Sequence, residues 1–398
     1  MADGRRLNPR CEAVPCSVLA TGPRRGTPSW CNLNVRDTHM KRITVSTLFL
    51  ILLAAAWTLA PNSGSTTARA QGAGTSGNGK LKFRVLYTSS HLPAEARVEK
   101  VLKAAHGGFA IDRRPGKGET YFALPGAGIV QISADLKSTR MVATPAEMKD
   151  ANMHNATLFV APDGAPYLAF PGNGAQRVFI TTIDGKLVQT LMPPEGMSDL
   201  GNPAATNYFL GRGSFIPTDV EYIDGMLYMS TGYSNLDFVL TARVASTNPL
   251  RFEWNDLAFG GKGTAPGQFG TGHGITVPLG TKRLDISDRP NAEIDRFTRY
   301  GQYLSTVKMP LGSLPCDIAY EGKYSIVGSL DGPDRSKGAP IYIMENDQLV
   351  STVMVKEDLG LPNFLHIHNA VMKSHGGKLY IIAQAWNPGD FAILEQVM

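Results

Sequence analysis

His273-Gly-Ile-Thr-Val277, a turn, Lys282-Arg-Leu-Asp-Ile286, a polar turn and Glu293-Ile-Asp-Arg-Phe297 running to Gly301 decide the fold. Each segment is short, rich in aliphatic and β-branched residues, and bounded by Gly, Pro, Asn or Asp. Such a run reads as a meander of short antiparallel strands. The pattern recurs outward in both directions. His106-Gly-Gly-Phe-Ala-Ile111 precedes Thr120-Tyr-Phe-Ala123, and His154-Asn-Ala-Thr-Leu158 precedes the turn at Asp163 and Gly164 and the strand Tyr167-Leu-Ala-Phe170. Ile216-Pro-Thr-Asp-Val220, Leu314-Pro-Cys-Asp-Ile318 and His368-Asn-Ala-Val-Met372 open three more units. The six openings are spaced by 41 to 62 residues. That spacing holds four short strands and their loops, the length of one propeller blade. The expected architecture is all-β, a six-bladed β-propeller of four-stranded blades. The last unit has room for three strands, so Lys82-Phe-Arg-Val-Leu-Tyr87 is expected to supply its outer strand beside Phe391-Ala-Ile-Leu394 and close the ring. Val98, Val101 and Leu102 at helical spacing predict a short surface helix within 93–105.

Composition agrees. The chain has 398 residues, 43% hydrophobic and 18% charged, which excludes wholesale disorder, and its Gly 42 and Pro 26 favour many turns over long helices. The formal charge of +5 is concentrated at the start. Residues 1–70 carry nine Lys and Arg against three acids, leaving 30 basic and 31 acidic side chains in the other 328. No nucleic-acid-binding surface follows from that balance. Met40-Lys41-Arg42, an apolar run from Ile43 to Ala60 and Ala68-Arg69-Ala70 form a signal peptide over 40–70, with cleavage expected before Gln71. Residues 1–39 read as an upstream extension from a misplaced start, and residues 71–398 as the exported propeller. The exported chain then has no membrane segment. It keeps Cys316 alone, since Cys11, Cys16 and Cys31 fall before the cleavage point, so a disulfide framework is excluded.

Four of the eight histidines open units: His106, His154, His273 and His368, with Ile216 and Leu314 at the other two openings. Openings that occupy one place on successive innermost strands form a ring at one mouth of the channel. Neutral imidazoles converging from separate strands suit Zn²⁺, with a coordination position left open for substrate. Imidazoles lining a polar channel mouth and bonding to backbone are the other reading of the same residues.

Gly263-Thr-Ala-Pro-Gly-Gln-Phe269, followed by His273-Gly-Ile-Thr-Val277, Ile286-Ser-Asp-Arg-Pro-Asn-Ala-Glu-Ile294, Phe297 and Gly301, resembles the NHL repeat. Within NHL propellers the chain is similar to the peptidyl-α-hydroxyglycine α-amidating lyase family over roughly residues 152–397, and weakly so in the first blade. The resemblance implies a zinc site of His154, His273 and His368. It implies a catalytic base at Tyr233, in Ser230-Thr-Gly-Tyr-Ser-Asn235, where the family has S-D-G-Y-x-N. It also implies an active-site arginine at Arg289, in Asp288-Arg-Pro-Asn291, where the family has D-R-x-N. Tyr233 as a strand-end aromatic packing its blade, and Arg289 as a turn partner of Asp288 or Glu293, are the plainer alternatives. His106 has no family counterpart and reads as a channel-lining residue, while His366 stands two residues before His368. The sequence departs from the family at Asn369, where the family has Asp, and in the first blade, where no second arginine stands between Tyr121 and Gly128. A structural calcium site, which leans on that Asp, is therefore open. The implied reaction cleaves an N-acyl-α-hydroxyglycine to an amide and glyoxylate at the channel mouth. The rivals are a non-catalytic propeller binding a protein or glycan on its loop face, and another metal-dependent hydrolase on the same ring.

Overall fold

The computed structural model describes residues 74–397; the signal segment, the cleavage point before Gln71 and residues 1–39 lie outside the described residues. Six antiparallel sheets make six blades. The innermost strands, in order, are Ala110–Ile111, Thr157–Val160, Asp219–Ile223, Gly272–Thr276, Pro315–Glu321 and His366–His375. Blades 1 to 5 have four strands each, in chain order from the inside out. Blade 6 supplies three, His366–His375, Lys378–Trp386 and Asp390–Gln396, and the ring is completed from the other end of the chain. Leu81–Thr88 pairs antiparallel with Asp390–Gln396, bringing Phe83 opposite Gln396 and Tyr87 opposite Ile393, and Ser76–Asn78 adds a fifth strand outside it. Phe83, Phe391, Ile393 and Leu394 are fully or almost fully buried in one apolar cluster that also takes in Phe122 of blade 1 and Ile326 of blade 5. The seam is thus packed as a core and not merely paired.

The helix within 93–105 shortens to Glu99–Lys103, with Val101 turned into the core and an ion pair from Lys103 to Glu99 outside. Two further helices, Ala146–Lys149 and Pro203–Leu210, went unpredicted, although the signal of the longer is legible: Asn202 Oδ1 accepts from the amides of Ala204 and Ala205, and Pro203 takes the first turn. No helix among the described residues is long and apolar enough to cross a membrane.

The expected ring register is wrong in three blades. His154 Nδ1 bonds the carbonyl of Thr218, His273 Nδ1 that of Cys316, and His368 Nδ1 that of Gly107. The ring positions are therefore Gly107, His154, Thr218, His273, Cys316 and His368. In blades 3 and 5 the aliphatic openers Ile216 and Leu314 still belong to the incoming loop. Their amides bond Ser234 Oγ and the carbonyl of Asp331, outside the strand ladder. In blade 1 His106 stands one residue early. Gly108, which follows the ring position Gly107, fills the next layer, where a Cβ would lie 1.7 Å from Asn155 Oδ1, so only glycine fits. Pairing register shifts across His273, Cys316 and His368, so these residues sit on β-bulges, which re-aim a side chain out of the strand's alternation.

Candidate functional site

The corrected ring alternates: histidine on blades 2, 4 and 6, and Gly107, Thr218 and Cys316 on blades 1, 3 and 5. Each imidazole spends its Nδ1 proton on the carbonyl of the following blade, at 2.7, 2.7 and 2.9 Å. Donation to a carbonyl selects the Nδ1–H tautomer and leaves Nε2 as a lone pair aimed at the channel axis. His154 Nε2 and His368 Nε2 then face each other at 3.1 Å. Two lone pairs at that distance repel unless a proton or cation lies between them. Burial, joined by the neighbouring imidazoles and Arg289, holds the pKa of His154, His273 and His368 well below the ordinary value, which disfavours the proton. Borderline nitrogen donors in this state fit a zinc-like divalent ion, so the residues present can hold one.

His273 comes to the same place, its ring centroid 4.7 Å from His154 and 5.2 Å from His368, with Nε2 3.1 Å from Tyr233 Oη. His106, His154 and His368 also form a close donor group, one ring nitrogen of each lying within 4.8 Å of the others. His106 packs edge-on against both partners and stacks on Trp386. His366 does not join them. Its Nδ1 bonds the Leu330 carbonyl and stands 3.1 Å from Asp331 Oδ1.

Tyr233 and Arg289 meet at the site. Arg289 Nη1 donates to Tyr233 Oη at 2.6 Å and Nη2 to Cys316 Sγ at 3.1 Å. Arg289 thus makes no bond to Asp288 or Glu293. Asp288 instead accepts from the amides of Gly270 and Thr271 and, with Asn291 Nδ2 at 2.6 Å, braces the turn that aims the guanidinium inward. The Tyr233 turn is built as tightly. Thr231 Oγ1 and Phe238 exchange two hydrogen bonds, and Gly232 lies so close to blade 4 that a Cβ would be 2.3 Å from the Gly272 carbonyl oxygen. Burial pushes the Tyr233 phenol up and the Arg289 charge pulls it down, with burial the larger influence. Several buried polar atoms around the ring have no protein partner: Arg289 Nε, Asn152 Oδ1, Asn369 Oδ1 and both side-chain atoms of Gln384. Unspent polar atoms at one place are a mark of a ligand site.

One layer below the ring the sequence reading missed three carboxylates. Asn369 donates to Asp317 Oδ2 at 2.6 Å, and Asn155 reaches the same oxygen. Asp317 and Asp219 stand one residue after ring positions, as Asn369 does, so the negative charge absent at 369 returns from blades 3 and 5. With Glu221 they line a cavity of about 220 Å³ that runs to Arg113 at its mouth. Burial raises Asp317 to about 6, Glu221 to about 7, and Asp219 well above the usual range. The repeated Thr-Asp and Cys-Asp beside His-Asn was the available signal, obscured by the shifted register.

No protein-family model matches the chain, and no curated protein matches it in sequence. Among solved structures it is similar to virginiamycin B lyase from Staphylococcus aureus, at 15% identity and a TM-score of 0.43 over 73% of this chain and 94% of that one. It is similar to a streptogramin B lyase at 14% identity and a TM-score of 0.42, covering 74% and 95% of the two chains. It also resembles the Cps50 (Swd1) β-propeller domain of Myceliophteria thermophila, at 13% identity and a TM-score of 0.42 over 73% and 83%.

Proposed function

We propose that the protein is an exported, metal-assisted lyase that converts an N-acyl-α-hydroxyglycine, as a small molecule or at a peptide terminus, to an amide and glyoxylate. One observation carries the reading: Tyr233 Oη lies 3.1 Å from His273 Nε2 while accepting a hydrogen bond from Arg289. That arrangement joins a proton acceptor, an imidazole cluster able to hold a cation and a carboxylate-binding group, drawn from blades 2, 3, 4 and 6. His154, His273 and His368 would hold Zn²⁺ through Nε2, and the ion supplies Lewis acidity toward a hydroxyl oxygen. Arg289 orients the substrate carboxylate, and its unspent Nε is the donor left for that purpose. With the His273 Nε2 lone pair that the phenol proton faces taken up by a cation, loss of that proton to solvent would be favoured, and the Tyr233 phenolate, held by Arg289, would then take the proton of the α-hydroxyl. The oxygen's electron pair then forms the glyoxylate carbonyl, the carbon–nitrogen bond breaks toward nitrogen, and Tyr233 returns the proton to the departing amide. For the calcium ion that the resemblance implies, the supporting donors are Asp219, Glu221 and Asp317, hard oxygen ligands with no cation bonded to them among the described contacts.

Metal-loaded protein should release glyoxylate from an N-acyl-α-hydroxyglycine, and no release from a fully loaded sample would rule the lyase out. N-terminal sequencing of the exported form should begin near Gln71. A second reading, another metal-dependent hydrolase, is favoured by His106, which crowds the His154–His368 face and has no counterpart in the amidating-lyase pattern.

A further inference from the structure

His106 differs from the three ring histidines in what its ring nitrogens can do. A chain of hydrogen bonds settles this from the backbone outward. The amide of Gly174 donates to Asn173 Oδ1 at 2.6 Å, which fixes that atom as the acceptor. Asn152 Nδ2 donates to the same Asn173 Oδ1 at 3.0 Å, which fixes the Asn152 amide in turn. Its second N–H therefore meets His106 Nδ1, 2.9 Å away. Rotating the Asn152 amide would set two carbonyl-type oxygens against each other, so the chain has one consistent solution. Nδ1 of His106 accepts, and the proton of the neutral ring sits on Nε2. The ring histidines are the reverse, with protons on Nδ1 and lone pairs on Nε2. Trp386 stacks on His106 at 5.2 Å between centroids, which sets the plane of its ring. His106 is also the one imidazole of the four that keeps some solvent exposure.

We propose that His106 is a hydrogen-bond donor to the substrate and carries part of the negative charge that moves onto the departing amide. The proposal rests on the lyase reading above. As the carbon–nitrogen bond breaks, the electron pair left on nitrogen spreads onto the acyl oxygen, and an N–H held ready there stabilises it as an oxyanion hole does. A ring nitrogen protonated before substrate arrives is no metal ligand, so His106 and the Nε2 donors divide the site between them. Asn152 is then a positioning residue, acting only through the tautomer it selects.

Long-range ¹H–¹⁵N correlation spectra of the metal-loaded protein read the tautomers directly. They should show His106 protonated on Nε2 and the three ring histidines on Nδ1. Asn152→Asp presents a carboxylate that demands an Nδ1 proton, and it should reverse the His106 tautomer alone. His106→Phe should keep its metal content while kcat falls about a hundredfold, as for loss of one oxyanion donor. The loss should shrink to a few-fold on a substrate whose amide is an intrinsically better leaving group, and Asn152→Asp should show the same selectivity. An Nδ1 proton on His106 in the wild type, or loss of metal in His106→Phe, would overturn the proposal. A wild type that shows the expected tautomers but releases no glyoxylate would instead retire the lyase reading, and the amide with it as the group contacted.

Discussion

His154, His273 and His368 each commit one nitrogen to the backbone and offer the other to the channel. This division makes their expected behaviour separable from that of Tyr233. His273→Ala should remove one of three lone pairs and cost most of the bound zinc, read by metal analysis of dialysed protein, because two imidazoles and water make a poor zinc site. Tyr233→Phe should keep the metal and abolish glyoxylate release, since only the proton acceptor is deleted. A Tyr233→Phe protein that stripped its metal would show the phenol to be a ligand. At this scale the sequence was legible where a residue type is scarce or a motif is spaced. Four histidines at unit openings, the Gly-Tyr turn and the Asp-Arg-Pro-Asn turn were all visible. Cys316, Asp219 and Asp317 were not, because a β-bulge leaves no trace in composition and a slip of one or two residues hid their equivalence to His and Asn.

Tyr233 and Arg289 both stand on the turn after the second strand of a blade, and both are held by bonds to the neighbouring loop and strand. The precision of that turn is therefore a property of the packing between blades 3 and 4. Gly232→Ala would drive a Cβ against the Gly272 carbonyl and push the turn outward. Misplacement on the scale of 1 Å is enough to lower kcat about a hundredfold. Metal content should stay close to that of the wild type while the melting temperature falls by a few degrees, as for overpacking at about 1–3 kcal/mol, and a Gly232→Ala protein with full activity would show the turn to be loose. The seam strand makes a contrasting claim about stability. Phe83 is fully buried there, so Phe83→Ala should cost about 3–5 kcal/mol in denaturant unfolding. Leu304→Ala, on an exposed outer strand, should change stability by less than about 0.5 kcal/mol. The strands themselves were easy to read, since period and turn residues mark each one. The helix 203–210 was lost because a short helix inside a long loop has no repeat to announce it.

Three carboxylates gather in the channel from blades 3 and 5, and the guanidinium at the channel mouth, Arg113, is already paired with Glu321. In the unfolded chain such groups titrate near pH 4. Burial raises Asp317 to about 6 and Glu221 to about 7, with Asp219 also raised. From about pH 4 the unfolded chain has therefore released protons that the folded chain keeps, so rising pH favours unfolding, up to about pH 6 for Asp317 and about pH 7 for Glu221, with Asp219 acting in the same direction. The melting temperature of metal-stripped protein should fall from pH 5 to pH 7.5. Calcium should flatten the fall by stabilising the ionised carboxylates, and Asp219→Asn, Glu221→Gln and Asp317→Asn together should remove most of it. A flat profile in the stripped wild type would show these acids to be compensated already. The closed ring was foreseeable from the missing fourth strand of the last unit, but the acid layer depends on which residue of each inner strand faces the axis, which only the folded register decides.

Blade 6 meets blade 1 at the hub through His368 Nδ1 and the Gly107 carbonyl, atoms 261 residues apart along the chain, while at its outer edge blade 6 is finished by the strand from the other terminus. A cation gripping His154 of blade 2 and His368 of blade 6 would span that junction across blade 1 from within the buried hub. Loading the metal then works as a latch on the two ends of the polypeptide: a chelator should loosen one of six interfaces before the rest, and the place where the molecule first yields to pulling should be the place where its chemistry is done.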